Sequence, residues 1–142
     1  MEYTLNQIAL ITGFTTRTLR NHIKQGLLNG EKIDGNWCFT EEDLAAFLDQ
    51  PAVAKELVSK QNALVYDFLA DTYKKSNRIC VLLDFPVTNE EARSINDFFC
   101  GEINRMGCDI QFRSINERRL LRVILSGAEE QVMDILSAYY RK

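Results

Sequence analysis

The sequence is poor in the residues from which enzymes and metal sites are built. It holds one histidine, His22, and four cysteines, Cys38, Cys80, Cys100 and Cys108, in 142 residues. No nucleophile–base pair, carboxylate dyad or phosphate-binding glycine loop is visible, so the chain reads as a non-enzyme. No two cysteines have a Cys-x-x-Cys spacing, and His22 lies far from all but Cys38. Neither a metal nor a cofactor is therefore expected. Buried free thiols are one reading of the cysteines and a redox sensor the other. No apolar run approaches the roughly 20 residues that span a bilayer. The start, Met1-Glu2-Tyr3, lacks the basic and apolar regions of a signal peptide. A soluble, cytoplasmic protein without membrane contact is the expectation. Nor is there a global excess of positive charge: the net charge is −3. That speaks against a polyanionic partner until the charges are mapped, because phosphate contact is made by one face of a protein.

What is present is an apolar fraction of 46%, enough for a packed core. The length suits one or two small domains. Thr4-Leu5-Asn6-Gln7 has the form of a capping box, followed by helical spacing at Leu5, Ile8, Ala9 and Ile11 or Thr12. Gly13 ends that helix. Thr15 caps a second one, running to about Gln25 with Leu19 and Ile23 inward, and Gly26 stops it. Helix, tight turn and helix within about 22 residues make a helix-turn-helix. Asn29-Gly30 reads as a turn. Lys32-Ile33, Asp34-Gly35 and Trp37-Cys38-Phe39 read as a hairpin with Asp-Gly at its tip, a wing. Thr40-Glu41-Glu42-Asp43 caps a third helix with Leu44, Phe47 and Leu48 in its stripe, and Gln50-Pro51 breaks it.

Residues 52–75 show one apolar stripe (Val53, Leu57, Val58, Leu64, Val65, Phe68, Leu69, Tyr73), the mark of a long helix ended by Lys74-Lys75-Ser76-Asn77. The remainder reads β-α-β-β-α. It opens with an apolar strand at Ile79–Leu83, apolar on both faces and so expected to be covered on both. A helix capped by Thr88 and Glu91 follows, then a hairpin turning at Asn116-Glu117. A last helix is capped by Ser126-Gly127-Ala128-Glu129. The fold expected is α+β: a winged helix-turn-helix over 1–50, a connecting and dimerisation helix over 51–75, and a small domain over 76–142. That last domain, an effector or oligomerisation unit, is related to the ferredoxin-like fold but lacks one strand.

The chemistry concentrates on the second helix. Arg17, Arg20 and Lys24 share one face, and Thr15 and Thr16 stand at its start, where free amides attract phosphate. A basic helix beside a wing suits a DNA major groove, although a solvated basic face has the same spacing. Residues 3–48 resemble the DNA-binding domain of the MerR family. The resemblance is carried by Tyr3-Thr4-Leu5, Ile8-Ala9, Thr12-Gly13, Arg17-Thr18-Leu19-Arg20, Gly26-Leu27-Leu28, Gly35, Phe39 and Thr40-Glu41-Glu42-Asp43-Leu44. It implies a bacterial transcriptional regulator, bound to double-stranded DNA as a homodimer. Contacts are implied from Arg17 and Arg20 and, in the wing, from Gly35, Asn36 and Trp37; Thr15, Thr16, Asn21 and Lys24, placed beside them on the same helix, complete the candidate contact set. The sequence departs from the family where Asn21-His22 follows the second arginine and where the wing reads Gly35-Asn36-Trp37 without an arginine. His22 either touches DNA or packs between wing and core. Trp37 either touches a base or plugs the core under the wing. Excisionase-type architectural proteins share this fold, and an interaction module that has lost DNA binding is a third reading. In the C-terminal domain, Arg113 and Arg122 fall on one sheet face if the hairpin closes as expected. With Arg118 and Arg119 they are candidates for holding a small anionic effector, or else form a solvated rim.

Overall fold

The computed structural model describes residues 2–106, 110–117 and 119–141, with the backbone alone for 113–117. The chain forms two compact units, Met1–Lys60 and Gln61–Lys142. The first holds β1 (Tyr3–Thr4), α1 (Leu5–Thr12), α2 (Thr16–Lys24), β2 (Glu31–Ile33), β3 (Asn36–Phe39) and α3 (Glu41–Leu48). A further helix, α4 (Pro51–Ala70), begins in this unit. The strands form an antiparallel sheet in the order β1-β3-β2.

Local chemistry sets the helix starts. Gln7 N donates to Thr4 Oγ1 at 3.1 Å while Thr4 N donates to Gln7 Oε1 at 2.9 Å. Thr40 and Asp43 make the same exchange at the head of α3, at 3.1 and 2.9 Å. Each box satisfies amides that the helix cannot pair itself. Gly13 closes α1 at φ 82°, a left-handed conformation that costs other residues energy. At the wing tip, Asp34 and Gly35 take φ 51° and 81° between the paired residues Ile33 and Asn36, the two-residue turn that suits strand twist. Ile8, Leu19, Leu28, Phe39 and Phe47 are fully buried between helices and sheet.

Three expectations for this unit and α4 change. The two-residue β1 pairs Tyr3 with Phe39 and Thr4 with Cys38; it is too short to announce itself by alternation. Asn29-Gly30 is not a hairpin turn, and Gly30 does not adopt a left-handed conformation. Space demands its glycine: a Cβ there would run into the Phe39 ring and stand 2.7 Å from the Cys38 carbonyl oxygen. The long helix ends at Ala70, not near residue 75. Asp71 Oδ1 accepts from Tyr73 N at 3.1 Å, and Lys74 Nζ turns back to donate to the Phe68 carbonyl at 2.6 Å, so local side chains cap the last turn. Tyr73 is consequently 91% exposed and outside the helical stripe.

The second unit adds β4 (Arg78–Pro86), α5 (Asn89–Met106), β5 (Gln111–Glu117), β6 (Leu120–Ala128) and α6 (Glu129–Arg141). Its sheet is antiparallel in the order β4-β6-β5. That is β-α-β-β-α with the third strand central, the ferredoxin-like order without its last strand. Thr88 and Glu91 cap α5 reciprocally, at 3.0 and 3.2 Å. Both helices cover one sheet face. Phe99 stacks on Phe112 and Tyr139, with centroids 6.1 and 5.3 Å apart, and Tyr139 reaches Phe85 at 5.6 Å. Large aromatic surfaces dominate the burial of such a small core.

On the other face the described residues leave part of β4 uncovered. Leu82 is 52% exposed and Cys80 half-buried, although Ile124 on the same face is fully buried. The hairpin stays paired through Glu117 and Leu120, beyond the expected turn at Asn116-Glu117, with Arg119 left-handed at φ 62°. β6 runs to Ala128 and absorbs the expected Ser126–Glu129 cap, because Ser126 and Gly127 pair with Cys80 and Ile79 of β4. Among the described residues no disulfide forms. Cys100 is buried, which pushes its thiol up to about 12; Cys38 and Cys80 are half-buried, and Cys108 lies outside the described residues.

Gly30→Ala is expected to lower stability by about 1–3 kcal/mol, the usual cost of forcing extra atoms into a packed site. Thermal or urea denaturation measures it. An unchanged midpoint would show that Phe39 and the Cys38 carbonyl are not what keeps this position a glycine.

Candidate nucleic-acid interface

α2 has only nine residues, and helices this short are not stable alone in water. It is held from both ends and from behind. At its start Thr15 Oγ1 accepts from Thr18 N at 3.0 Å and donates to Thr18 Oγ1 at 3.0 Å. At its end the Gln25 and Leu27 amides donate to Asn21 and His22 carbonyls. Gln50 Nε2 then donates to the Leu27 carbonyl at 2.6 Å, fastening the turn after α2 to the segment after α3. Behind the helix Leu19 is fully buried. The His22 ring sits between Phe14 at 5.3 Å and Phe47 at 5.2 Å, and those two rings meet at 6.1 Å.

With the back face so occupied, the front is set by helical geometry. Arg17, Arg20, Asn21 and Lys24 fall within about 100° of one another around the axis. All four are exposed. Neither arginine nor the lysine forms an ion pair with a described residue. Thr15 is exposed and caps the helix, and Thr16 is half-buried beside it. In the wing Gly35 and Asn36 are exposed at the tip. Trp37 is half-buried and stacks on Phe39 with centroids 6.2 Å apart and rings 18° from parallel. One side of the indole therefore serves the core, while Lys32, paired with Trp37 across the hairpin, holds its ammonium 5.9 Å from the ring centroid.

Three residues escaped the sequence reading. Lys32 supplies the wing's positive charge in the absence of an arginine; its pairing partner across an Asp-Gly turn was the available signal. Phe14 sits in the turn, buried, and anchors the ring cluster; a lone aromatic between two helices carries no periodicity. Lys60 lies 5.5 Å from the centroid of the same Phe14 ring. Phe14, Thr18, His22, Leu27, Val53 and Lys60 line an open cleft of about 360 Å³ behind the start of α2.

The strand register puts Arg113 and Arg122 on one sheet face, as the sequence suggested. Arg122 is bound bidentately by Asp84 across the β4–β6 pair, at 2.7 and 2.9 Å, so its fork already faces a carboxylate. That contact draws the Asp84 carboxyl below the usual range. The Arg113 backbone pairs with Ile124, and its side chain lies outside the described residues, as does Arg118. Among the described residues no cluster of metal-ligating side chains occurs, and no helix is long and apolar enough to cross a membrane.

Residues 2–51 match the family described as a helix-turn-helix domain. No curated protein and no solved structure matches the chain. The first unit thus contains a helix-turn-helix, a DNA-binding module, with α1 and α2 as its two helices.

The structure places His22 in the ring cluster, with Nδ1 buried and without a hydrogen-bond partner among the described residues. Burial holds the imidazole below its ordinary 6.5. A depressed pKa in the folded state means that the unfolded chain takes up the proton first. The stabilisation is complete above pH 6.5 and is lost as pH falls through the lowered value. Replacing His22→Phe is expected to flatten the fall in melting temperature between about pH 7.5 and about pH 5.5. Parallel melting curves for the two proteins across that range would refute the role given to His22.

Proposed function

We propose that the protein is a sequence-specific, DNA-binding transcriptional regulator of the MerR-like type, acting as a homodimer. One observation carries the reading: a recognition helix whose exposed face holds Arg17, Arg20, Asn21 and Lys24, its three cations free of ion pairs with described residues. In a protein of net charge −3, cations left unpaired on one face are available to a polyanion. In this reading α2 enters the major groove. Arg17 and Arg20 meet phosphates or guanine edges, Asn21 is the side chain suited to adenine, and Lys24 meets the backbone. Amides at Thr15 and Thr16 take a phosphate at the helix start. The wing tip, Gly35 and Asn36, lies along flanking backbone, with the exposed part of Trp37 and the Lys32 ammonium beside it.

Dimerisation follows from how such helices read DNA: symmetric proteins bind two half-sites one turn apart. The outward side of α4 supports it, since Tyr66 and Leu69 are strongly exposed apolar groups three residues apart.

Arg17→Ala combined with Arg20→Ala is expected to weaken binding to genomic DNA fragments at least about tenfold and to reduce the salt slope by about two. Both side chains are exposed, so stability should change by no more than about 0.5 kcal/mol each. Mobility shifts at two salt concentrations make the test. Equal binding by the double variant would remove α2 as the DNA-reading element.

A further inference from the structure

Among the described residues the sheet of the second unit ends on β4, and no strand pairs with that edge. Residues Arg78 to Pro86 pair with β6 without a slip or bulge. On the other side, the backbone N–H and C=O groups of β4 have no partner among the described residues. Soluble proteins guard such edges with lysines, prolines, bulges or brevity. β4 has nine residues and no lysine, and its one proline, Pro86, stands at the end.

We propose that β4 pairs antiparallel with β4 of a second copy, joining two three-stranded sheets into one of six. The inference rests on the dimeric reading above and gives it a seat. Side chains alternate along a strand, so only registers that pair odd positions with odd keep the helix-covered faces on one side. Among these, a two-fold axis at Val81 sets Ile79 opposite Leu83, Cys80 opposite Leu82 and Arg78 opposite Asp84 of the second copy. The strand's single cation then meets its single anion twice. Centring on Leu82 would set Arg78 against Pro86 and Asp84 against Cys80, which wastes both charges. Arg78 is exposed and forms no ion pair with a described residue, and the Asp84 side chain is 45% exposed despite Arg122. Cross-strand pairs of opposite charge favour one register over its neighbours.

The helix layer agrees. α6 packs on β4 and β6, and α5 on β5, so α6 stands over the β4 half of the sheet. Met133 and Tyr140, seven residues apart on α6, are 47% and 65% exposed and therefore lie on a flank that α5 does not cover. Edge pairing about a two-fold axis brings the α6 helices of both copies to the same side, flank toward flank.

Sedimentation equilibrium of the full chain, with hydrogen exchange at low and high concentration, tests the arrangement. Leu82→Lys and Arg78→Glu alter exposed positions and are each expected to raise the dimer dissociation constant about tenfold or more. Amides of β4 are expected to slow as the dimer forms. Dimerisation with β4 amides exchanging at the monomer rate, or undiminished in both variants, overturns edge pairing and leaves the dimeric reading standing. A wild-type chain that stays monomeric overturns both, while the mobility shift reports separately on α2.

Discussion

A nine-residue helix has no right to exist by itself, and the first unit is arranged around that constraint. Nucleating a helix fixes several residues for each hydrogen bond gained, so α2 depends on the surface behind it. Leu19 and the Phe14–His22–Phe47 rings supply that surface, and truncating a buried ring such as Phe47 would cost about 3–5 kcal/mol. Because the anchoring is all on one side, the other side is released from structural duty. The side chains of Arg17, Arg20 and Lys24 form no ion pair with a described residue, and with Asn21 they are exposed, which leaves them available to a ligand. The ring cluster and the cationic face are thus two consequences of one short amphipathic helix.

The acidic balance of the whole chain does not oppose this. Fields from exposed charges fade within about 10 Å at ordinary ionic strength, so distant acids weigh little at α2. What decides is whether nearby charges cancel. Three arginines of the second unit are paired in this way: Arg122 with Asp84, Arg93 with Asp97 and Arg105 with Glu102. What sets α2 apart is that Arg17, Arg20 and Lys24 lie together on one face with no ion-pair partner among the described residues.

Elements whose causes are local were legible in the sequence. Capping boxes at Thr4 and Thr40, the stop at Gly13 and the Asp34-Gly35 turn each depend on residues within three positions, and the amino-acid types name the geometry. The β-α-β-β-α order followed from alternating periods. Elements whose causes are tertiary were not legible. β1 exists because Phe39 and Cys38 offer it an edge. β6 outlasts an apparent helix cap because a central strand gains ladder bonds on β4 up to Ala128. Gly30 looks like a turn residue and is required by an aromatic ring nine positions away. The same division runs through the candidate site. Arg17, Arg20 and Lys24 declare themselves by spacing, whereas Phe14 and the stacking of Trp37 on Phe39 depend on contacts that only the fold creates.

His22 joins the two halves of this argument. It is the chain's single histidine and stands on the helix that carries the cationic face, yet its ring is turned to the aromatic cluster. Desolvation lowers its pKa, so near neutral pH the imidazole is uncharged and adds nothing to the charge presented to DNA. Had the ring stayed in solvent, α2 would gain a positive charge across the range where histidines titrate, and phosphate affinity would vary with cellular pH. Burial moves that dependence to lower pH and uses the ring as packing mass. The charge on the exposed face then comes from Arg17, Arg20 and Lys24, which form no ion pair with a described residue. Packing behind the helix therefore leaves the charge of its front to the side chains that face outward.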